Sequence, residues 1–279
     1  MRRNTITVLV DNQAREGLLS EHGFALWIEA GGERILFDTG QSEGVLEHNA
    51  GALGIDLAQA DKLVLSHGHY DHTGGLPLVL RKNRNIQVYC HPTILRPRYS
   101  IKQTEVKSVQ IPFQSVVALN ELPKQQIHWL RNGSLLNSAI KASGPIPRRT
   151  KYETPGGSFF LDPAGKQRDK IEDDLALWLR TRGGLVVCAG CAHAGLINTL
   201  RQALQHNRDL KIHTIIGGFH LGNADQNRLQ RTFDAIDQMG FERIVPCHCT
   251  GERATALLRE RFGQRISSGK AGNTYRFRP

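Results

Sequence analysis

The stretch Leu65-Ser66-His67-Gly68-His69-Tyr70-Asp71-His72-Thr73-Gly74-Gly75 contains three imidazoles and one carboxylate within six residues. The residues before it, 62–65, are largely apolar and predict a short strand, and residues 76–80 predict a helix or helical turn. The polar side chains are therefore expected on a strand-to-helix loop, where α/β proteins commonly carry their chemistry.

Imidazole and carboxylate donors suit zinc, iron or manganese better than a metal that prefers soft thiolates. The alternative is a polar loop that contains histidines by chance. We disfavour it because isolated histidines are common, whereas H-x-H-x-D-H directly after a strand is not. The stretch thus predicts a metal site with the ligands His67, His69, Asp71 and His72.

The composition fits a soluble protein that acts on anions. The 279 residues include 36 Lys and Arg against 26 Asp and Glu, a net charge of +10. A basic field favours anionic substrates or nucleic acid, but the positive residues are scattered, and most are expected to be solvated surface. The first apolar run stops at Asp11, too short for a signal-peptide core, and no long apolar segment follows. We therefore expect a cytoplasmic protein that does not associate with membranes.

The five cysteines are expected to be free thiols in a reducing compartment. Cys188 and Cys191 form a C-x-x-C, and Cys247 and Cys249 flank a histidine, so a zinc or redox site is conceivable. Cys188, however, ends an apolar strand, and C-x-C is a poor zinc knuckle. We favour ordinary core packing.

The first part of the chain is predicted to form strands and one helix. Strands are predicted over residues 6–10, 24–29, 34–37, 62–65 and 86–91, and a helix over 45–53. Between about 92 and 170 prolines interrupt weaker signals, and β-like pieces are predicted at 115–119, 126–130 and 158–161. We expect this segment to be an irregular excursion over the site, within a single domain that spans residues 1–279.

Three strand-loop-helix units follow, with strands at 185–189, 212–216 and 244–245. Each unit places one histidine just past its strand, namely His193, His220 and His248. In α/β sheets, sites gather beyond the carboxyl ends of strands. The three imidazoles are therefore candidates to join the ligands of the 67–72 loop.

The motifs together resemble the metallo-β-lactamase fold superfamily, in the branch related to 7,8-dihydropterin-6-ylmethyl-4-(β-D-ribofuranosyl)aminobenzene 5′-phosphate synthase. The matching segments are Glu21-His22-Gly23, Phe37-Asp38-Thr39-Gly40, the histidine-rich loop and residues 190–195, 217–220 and 247–251. The resemblance implies an α/β fold, a four-layer αβ/βα sandwich, with metals at one edge between the sheets.

The resemblance also implies two divalent cations, zinc by preference and manganese or iron as alternatives. His67, His69 and His193 would bind the first cation, and Asp71, His72 and His248 would bind the second. The superfamily usually has a bridging Asp where this chain has His220. An imidazole does not readily bridge two cations, so we expect His220 to be a ligand or a direct substrate contact. A centre with one acid fewer is more cationic and favours phosphate or pyrophosphate.

Five further residues are candidates around the centre. The resemblance implies that Asp38 accepts a hydrogen bond from a ligand histidine, although it could instead cap a turn. Glu21 and His22 could reach the site, or they could instead stabilise the turn of their own loop. Arg148 and Arg149 could hold a phosphate, although a solvated surface position is slightly favoured.

The predicted activity is that of a two-metal hydrolase of a phosphorylated or ester-type small molecule, with Asp71 and His220 as catalytic residues. The main alternative is a synthase-type transfer, in which the cations hold the pyrophosphate of a dihydropterin while a nucleophile displaces it. A nuclease and a non-catalytic metal sensor are less favoured. Nucleic acid is not an expected partner, because no inserted nucleic-acid domain is visible.

Overall fold

Short apolar strands and amphipathic helices alternate along the chain. A computed structural model describes residues 4–103, 105–155 and 157–279. The strands are β1 (Asn4–Val10), β2 (Ala25–Ala30), β3 (Glu33–Phe37), β4 (Lys62–Val64), β5 (Gln87–Cys90), β6 (Tyr99–Lys102), β7 (Glu105–Ser108), β8 (Ile127–Trp129), β9 (Ser134–Leu135), β10 (Ile140–Ala142), β11 (Phe159–Phe160), β12 (Ala176–Thr181), β13 (Gly184–Ala189), β14 (Ile212–Gly218), β15 (Arg243–Cys247) and β16 (Thr274–Phe277). The helices are α1 (Glu43–Ala52), α2 (Tyr70–Thr73), α3 (Leu76–Lys82), α4 (Phe113–Asn120), α5 (Leu196–His206), α6 (Gln226–Met239) and α7 (Glu252–Phe262).

Two large sheets carry most of these strands. The first has the order β16-β1-β2-β3-β4-β5-β8, and the second has the order β15-β14-β13-β12-β10-β9. In the first sheet β1, β2 and β3 are antiparallel neighbours, whereas β3, β4, β5 and β8 run parallel. In the second sheet β12 and β13 are antiparallel, whereas β13, β14 and β15 run parallel. The parallel parts place several carboxyl ends along one edge of each sheet.

Hydrophobic contacts arrange the sheets and helices in four layers. Ile28 and Phe37 of the first sheet and Leu177 and Val186 of the second belong to one buried cluster between the sheets. A second cluster joins the outer face of the second sheet to α5, α6 and α7. A third joins the first sheet to α1, α3 and α4. The predicted α/β four-layer sandwich is confirmed.

Helix boundaries follow local capping chemistry. Asp225 precedes α6, and its carboxylate accepts the backbone N–H of Arg228 at 2.7 Å. Ser42 precedes α1, and its hydroxyl accepts the N–H of Val45 at 3.3 Å. Such caps satisfy N–H groups that have no partner inside the helix. Both helices therefore begin directly after a short polar side chain that caps their first turn.

The β-like piece predicted at residues 115–119 is wrong, because this segment lies in helix α4. Its valine pair suggested a strand, since β-branched residues favour that state. Ser115 and Leu119, four residues apart, are the positions that α4 buries, and the Ser115 hydroxyl donates to the carbonyl of Thr73 at 2.7 Å. Packing against the ligand loop thus overrides local propensity.

The segment between 92 and 170 is held to the histidine-rich loop by a buried arginine. Strands β6, β7 and β11 of this segment form a small third sheet. Arg98 is fully buried, with ion pairs to Asp169 at 3.1 Å and to Asp173 at 2.5 Å. Asp173 also accepts the backbone N–H of Gly68 at 2.8 Å. One guanidinium therefore connects the third sheet to the loop that carries His67 and His69. Residues 104 and 156 of this segment lie outside the described residues.

Within the described ranges, the helices are all too short or too polar to cross a lipid bilayer.

Replacing Arg98 with Met should lower the free energy of unfolding by about 3–5 kcal/mol, because two buried carboxylates lose their cation. The measurement is urea unfolding of metal-free protein, so that metal binding makes no contribution. Arg96→Met is the matched control. Its ion pair with Glu172 is about half exposed and should contribute at most about 1 kcal/mol. Equal losses in the two variants would contradict the assignment.

Candidate metal centre

The carboxyl ends of the parallel strands meet at one edge of the sandwich. Asp38 follows β3, Ser66 and His67 follow β4, and His193 lies on the loop after β13. His220 lies two residues after β14, and His248 directly follows β15. The structure thus brings together all seven side chains predicted as ligands: His67, His69, Asp71, His72, His193, His220 and His248.

Three histidines form a first donor set. The ligand nitrogens of His67, His69 and His193 lie within 4.8 Å of one another, and all three residues are buried. Nε2 of His67 lies 3.0 Å from Nδ1 of His69, close to the span of about 3.3 Å between two nitrogens on one tetrahedral zinc ion. His193 donates from Nδ1 to the carbonyl of Pro155 at 3.0 Å. Its buried Nε2 has no hydrogen-bond partner among the described residues, so its lone pair points into the centre.

Asp71 is the middle of a second donor set. Its Oδ2 lies 3.3 Å from Nε2 of His248 and 4.0 Å from Nε2 of His72. His22, whose side chain is about half exposed, approaches the same oxygen at 3.1 Å. Nδ1 of His248 lies 2.8 Å from the side-chain oxygen of Asn12, which leaves Nε2 directed at Asp71. His22 therefore reaches the site from its loop, on the solvent side of Asp71.

Asp38 connects the two donor sets through hydrogen bonds. One of its oxygens lies 2.7 Å from Nδ1 of His72 and accepts the Ser66 hydroxyl at 2.7 Å. The Ser66 hydroxyl has only one hydrogen, so it accepts from Nδ1 of His67, 2.9 Å away. The other carboxylate oxygen accepts the backbone N–H of Ser66 at 2.7 Å. These bonds fix both imidazoles with Nε2 facing the centre, as expected of a residue that orients metal ligands.

The charge states of the ligands follow from burial and from their neighbours. Burial lowers the pKa of His67, His69 and His193 well below the ordinary value, so these rings are neutral and keep a lone pair. Burial also disfavours charge on His72, but Asp38 and Asp71 outweigh it and raise the pKa to about 9. Burial tends to raise the pKa of Asp71, yet the adjacent His72 and the other histidines hold it well below its usual range. Asp71 is therefore an ionised acceptor.

His220 and Phe159 are partly buried side chains that lie next to the first donor set. The His220 ring lies 4.4 Å from that of His193, and its buried Nδ1 has no hydrogen-bond partner in the described chain. Phe159, at the start of β11, is half-buried and lies 5.1 Å from the His69 ring and 5.5 Å from the His193 ring. An aromatic ring thus lies against the first donor set.

Two cysteines lie in the centre, although the sequence favoured core packing for them. Sγ of Cys191 is 3.1 Å from Nε2 of His72 and 3.2 Å from Sγ of Cys249. Cys249 also accepts the backbone N–H of His220 at 3.3 Å. The position of Cys191, two residues before His193, was the available signal. Cys188 and Cys247 do pack in the core between the sheets, and all five cysteines are free thiols.

The remaining candidates lie at the margin of the site. Glu21 accepts the N–H groups of Gln41 and Ser42 at 2.7 and 3.1 Å and therefore serves the loop before α1. Arg148 donates to the carbonyl of His193 at 2.6 Å and to the carbonyl of Ile171, so it supports the His193 loop. Arg149 is exposed, and its backbone N–H donates to Asn198 at 3.0 Å. The phosphate contacts suggested for the two arginines stay predictions.

Sequence reasoning missed several residues that hold the ligands in place. Asp11 accepts the backbone N–H of His248 at 2.6 Å, and Asp174 accepts that of Ala194 at 2.6 Å. Ser66 and Asn12 contact ligand histidines directly. Each of these polar residues stands at the end of an apolar strand or beside a motif. That position was the signal that could have identified them.

The donor set fits divalent cations. Neutral imidazoles, an ionised carboxylate and nearby sulfur are the ligand types that zinc accepts. Buried nitrogens of His193 and His220 have no hydrogen-bond partner among the described residues, and a polar group left in that state is costly unless something binds it. The centre is therefore suited to binding a divalent cation.

A four-layer α/β sandwich with a histidine–aspartate centre at the strand ends defines a metallo-β-lactamase fold protein. The family model described as the metallo-beta-lactamase superfamily matches residues 21–248, and the chain belongs to this superfamily.

Three similar proteins extend over nearly the whole chain. This chain is 30% identical over 274 residues to 7,8-dihydropterin-6-methyl-4-(beta-D-ribofuranosyl)-aminobenzene-5'-phosphate synthase of Methanocaldococcus jannaschii. The match covers 92% of this chain and 90% of that protein. It is 32% identical over 255 residues to an uncharacterized protein of the same organism, covering 91% and 93%. The crystal structure of Tm1679, a metal-dependent hydrolase of the beta-lactamase superfamily, matches with a TM-score of 0.84 and 30% identity over 99% of this chain and 100% of that one.

Replacing Asp38 with Asn should weaken zinc binding by about 10- to 100-fold, because an amide can no longer fix the tautomer of His72. Asp38 has a φ of 61°, a conformation that Asn tolerates, so the backbone should be preserved. The measurement is competition for zinc with a chromophoric chelator. Asp56→Asn, at an exposed turn, is the control and should bind zinc as the wild type does. Unchanged affinity in Asp38→Asn would refute the role of Asp38.

Proposed function

We propose that the chain is a metal-dependent hydrolase that uses two divalent cations on a phosphate-bearing small molecule. The observation that carries the proposal is the presence of two donor sets at one edge, connected through Asp38. His67, His69 and His193 would hold one cation, and Asp71, His72 and His248 would hold the other. Two cations in such a site supply a nucleophile at neutral pH and polarise a phosphoryl or carbonyl oxygen.

The protein's own groups have separate tasks in this proposal. Asp71 is ionised, and its carboxylate can orient the attacking water as well as bind metal. His22 lies 3.1 Å from the same carboxylate and is half exposed, so it can pass a proton between the site and solvent. Nδ1 of His220 has no hydrogen-bond partner among the described residues and would be available to the substrate. Phe159 excludes water next to His69 and His193 and offers an aromatic face to the substrate.

A phosphate-bearing substrate is supported by charge and by similarity. The chain has a net charge of +10, which favours anions. The superfamily's usual bridging acid is replaced by His220, which makes the centre more cationic. The named relative from M. jannaschii makes a 5'-phosphate compound.

The second candidate function is a synthase-type transfer, and the 30% identity to the M. jannaschii synthase is the observation that favours it. In that reaction an aromatic nucleophile, rather than water, would displace pyrophosphate from a hydroxymethyl-dihydropterin. The half-buried face of Phe159 beside the centre would suit a flat pterin ring.

Hydrolysis of a phosphodiester by the zinc-loaded protein should be lost in the double variant His67→Ala/Asp71→Ala, down to the rate of chelator-treated wild type. Each substitution removes a donor from a different set, so neither cation keeps its full ligand complement. His48→Ala/Asp209→Ala is the matched control, because it removes the same two side-chain types from exposed positions. Residual zinc-dependent turnover in the first variant would exclude this centre as the site of reaction.

Hydrolase and synthase are separated by pyrophosphate release from hydroxymethyl-dihydropterin pyrophosphate. If the chain is a hydrolase, release or further cleavage to phosphate should proceed with water alone. An added aminobenzene nucleophile should leave the rate unchanged. A release that starts only when the nucleophile is present, with a coupled product detected by mass spectrometry, would overturn the hydrolase proposal in favour of the synthase.

A further inference from the structure

We propose that the thiolate of Cys191 bridges the two cations, in the role that a carboxylate usually has in this superfamily. The inference rests on the proposed two-cation centre and assigns a ligand that neither the family pattern nor the sequence identified. Its basis is the position of the Cys191 sulfur relative to both donor sets.

Cys191 is close to ligands of both cations. Its Sγ lies within 4.8 Å of the ligand nitrogens of His67 and His72, one member from each donor set. It also groups with His193 and His220 on one side and with His248 and Cys249 on the other. A side chain at the boundary between two ligand sets is placed to contact both cations. Cys249, by contrast, groups only with Cys191 and His248.

The distances are those of atoms that share a cation. Sγ of Cys191 is 3.1 Å from Nε2 of His72. A sulfur and a nitrogen on the same tetrahedral zinc ion are separated by about 3.5 Å, given bonds of about 2.3 and 2.0 Å. Nδ1 of His72 is already engaged by Asp38, so Nε2 is the nitrogen left for metal. A cation between this nitrogen and the sulfur therefore requires only a small adjustment.

The charge balance of the proposed centre is the chemical reason to expect a thiolate ligand. With cations bound, the two donor sets would contain one carboxylate, Asp71, and otherwise uncharged imidazoles, so two divalent cations would be poorly neutralised. His220 stands where the superfamily has its bridging acid, and a neutral imidazole adds no negative charge. A cysteine that binds metal loses its proton outright, and its sulfur has enough lone pairs to contact two cations. Cys191 is 3% exposed, which protects a thiolate from exchange with solvent.

Cys249 supports the proposed bridging sulfur of Cys191 through a hydrogen bond and is not itself the bridging ligand. Its Sγ lies 3.2 Å from Sγ of Cys191 and accepts the N–H of His220. From this position its thiol can donate a hydrogen bond to the Cys191 sulfur. A serine at position 249 would keep that donor.

The test uses full-length protein loaded with cobalt(II), whose bonds to sulfur give a charge-transfer absorption in the near ultraviolet. Wild type should bind two cobalt ions per chain and show the band. Cys191→Ala should lose the band and bind the second ion at least about tenfold more weakly, by analogy with the loss of ligand-supporting residues. Cys191→Asp should restore two ions without the band, because the carboxylate is again a bridge. Cys249→Ser should keep the band.

Cys188→Ala is the matched control, since it removes a buried cysteine of the preceding strand β13 that packs between the sheets. It should keep both ions and the band. Wild type with two ions and no band, a band that persists in Cys191→Ala, or a Cys191–Cys249 disulfide in the metal-loaded protein would overturn the bridge. Wild type that binds fewer than two ions would instead refute the two-cation proposal itself. If Cys191→Ala fails to fold, Cys191→Asp and the wild-type spectrum still test whether Cys191 bridges the two cations.

Discussion

The buried carboxylate of Asp38 is the constraint on which the centre depends. It is fully buried, and a carboxyl group in that position requires hydrogen bonds to its oxygens. Ser66 and His72 provide them, and Ser66 in turn fixes His67. Two ligands that would bind different cations are thereby oriented by one side chain at the end of β3. The position of β3 in the first sheet thus sets the position of both donor sets.

The same region accepts unfavourable backbone geometry. Asp38, Ala192, His220 and His248 are non-glycine residues with φ between 47° and 61°. A residue in this left-handed region costs on the order of 1 kcal/mol or more, and such strain persists only where surrounding structure determines it. Glycine would remove the strain, but it would also remove the carboxylate or imidazole at three of the four positions. Strands β3, β14 and β15 therefore hold these side chains in positions that suit the metal centre, although the backbone conformation is unfavourable.

Much of this arrangement could be predicted from the sequence because it is local. The order of apolar strands, the H-x-H-x-D-H loop and the histidine after each late strand all follow from short-range patterns. The place of Cys191 in the centre was not predicted, because its position two residues before His193 is the sole local signal and a cysteine beside an apolar strand is equally suited to a core. Arg98, Asp169 and Asp173 are separated along the chain, and only the fold shows that they form one buried cluster beside Gly68. Helix α4 was missed because packing of Ser115 and Leu119 outweighed the strand preference of its valines.

In the proposed two-cation centre, His220 stands where the family resemblance implies a bridging acid, and this changes what would hold the cations together. Two neighbouring divalent cations would repel each other, and negative ligands between them would offset that repulsion. Asp71 contacts the second set alone, so it does not serve this purpose for both cations. A negative group must then come either from the protein or from the substrate. We have proposed that the Cys191 sulfur provides it from within the protein, and a phosphate near Phe159 and His220 would provide it from the substrate. The two are compatible because Cys191 is buried, whereas Phe159 and His220 are only partly buried, so a centre with a thiolate ligand would still be able to select an anionic substrate.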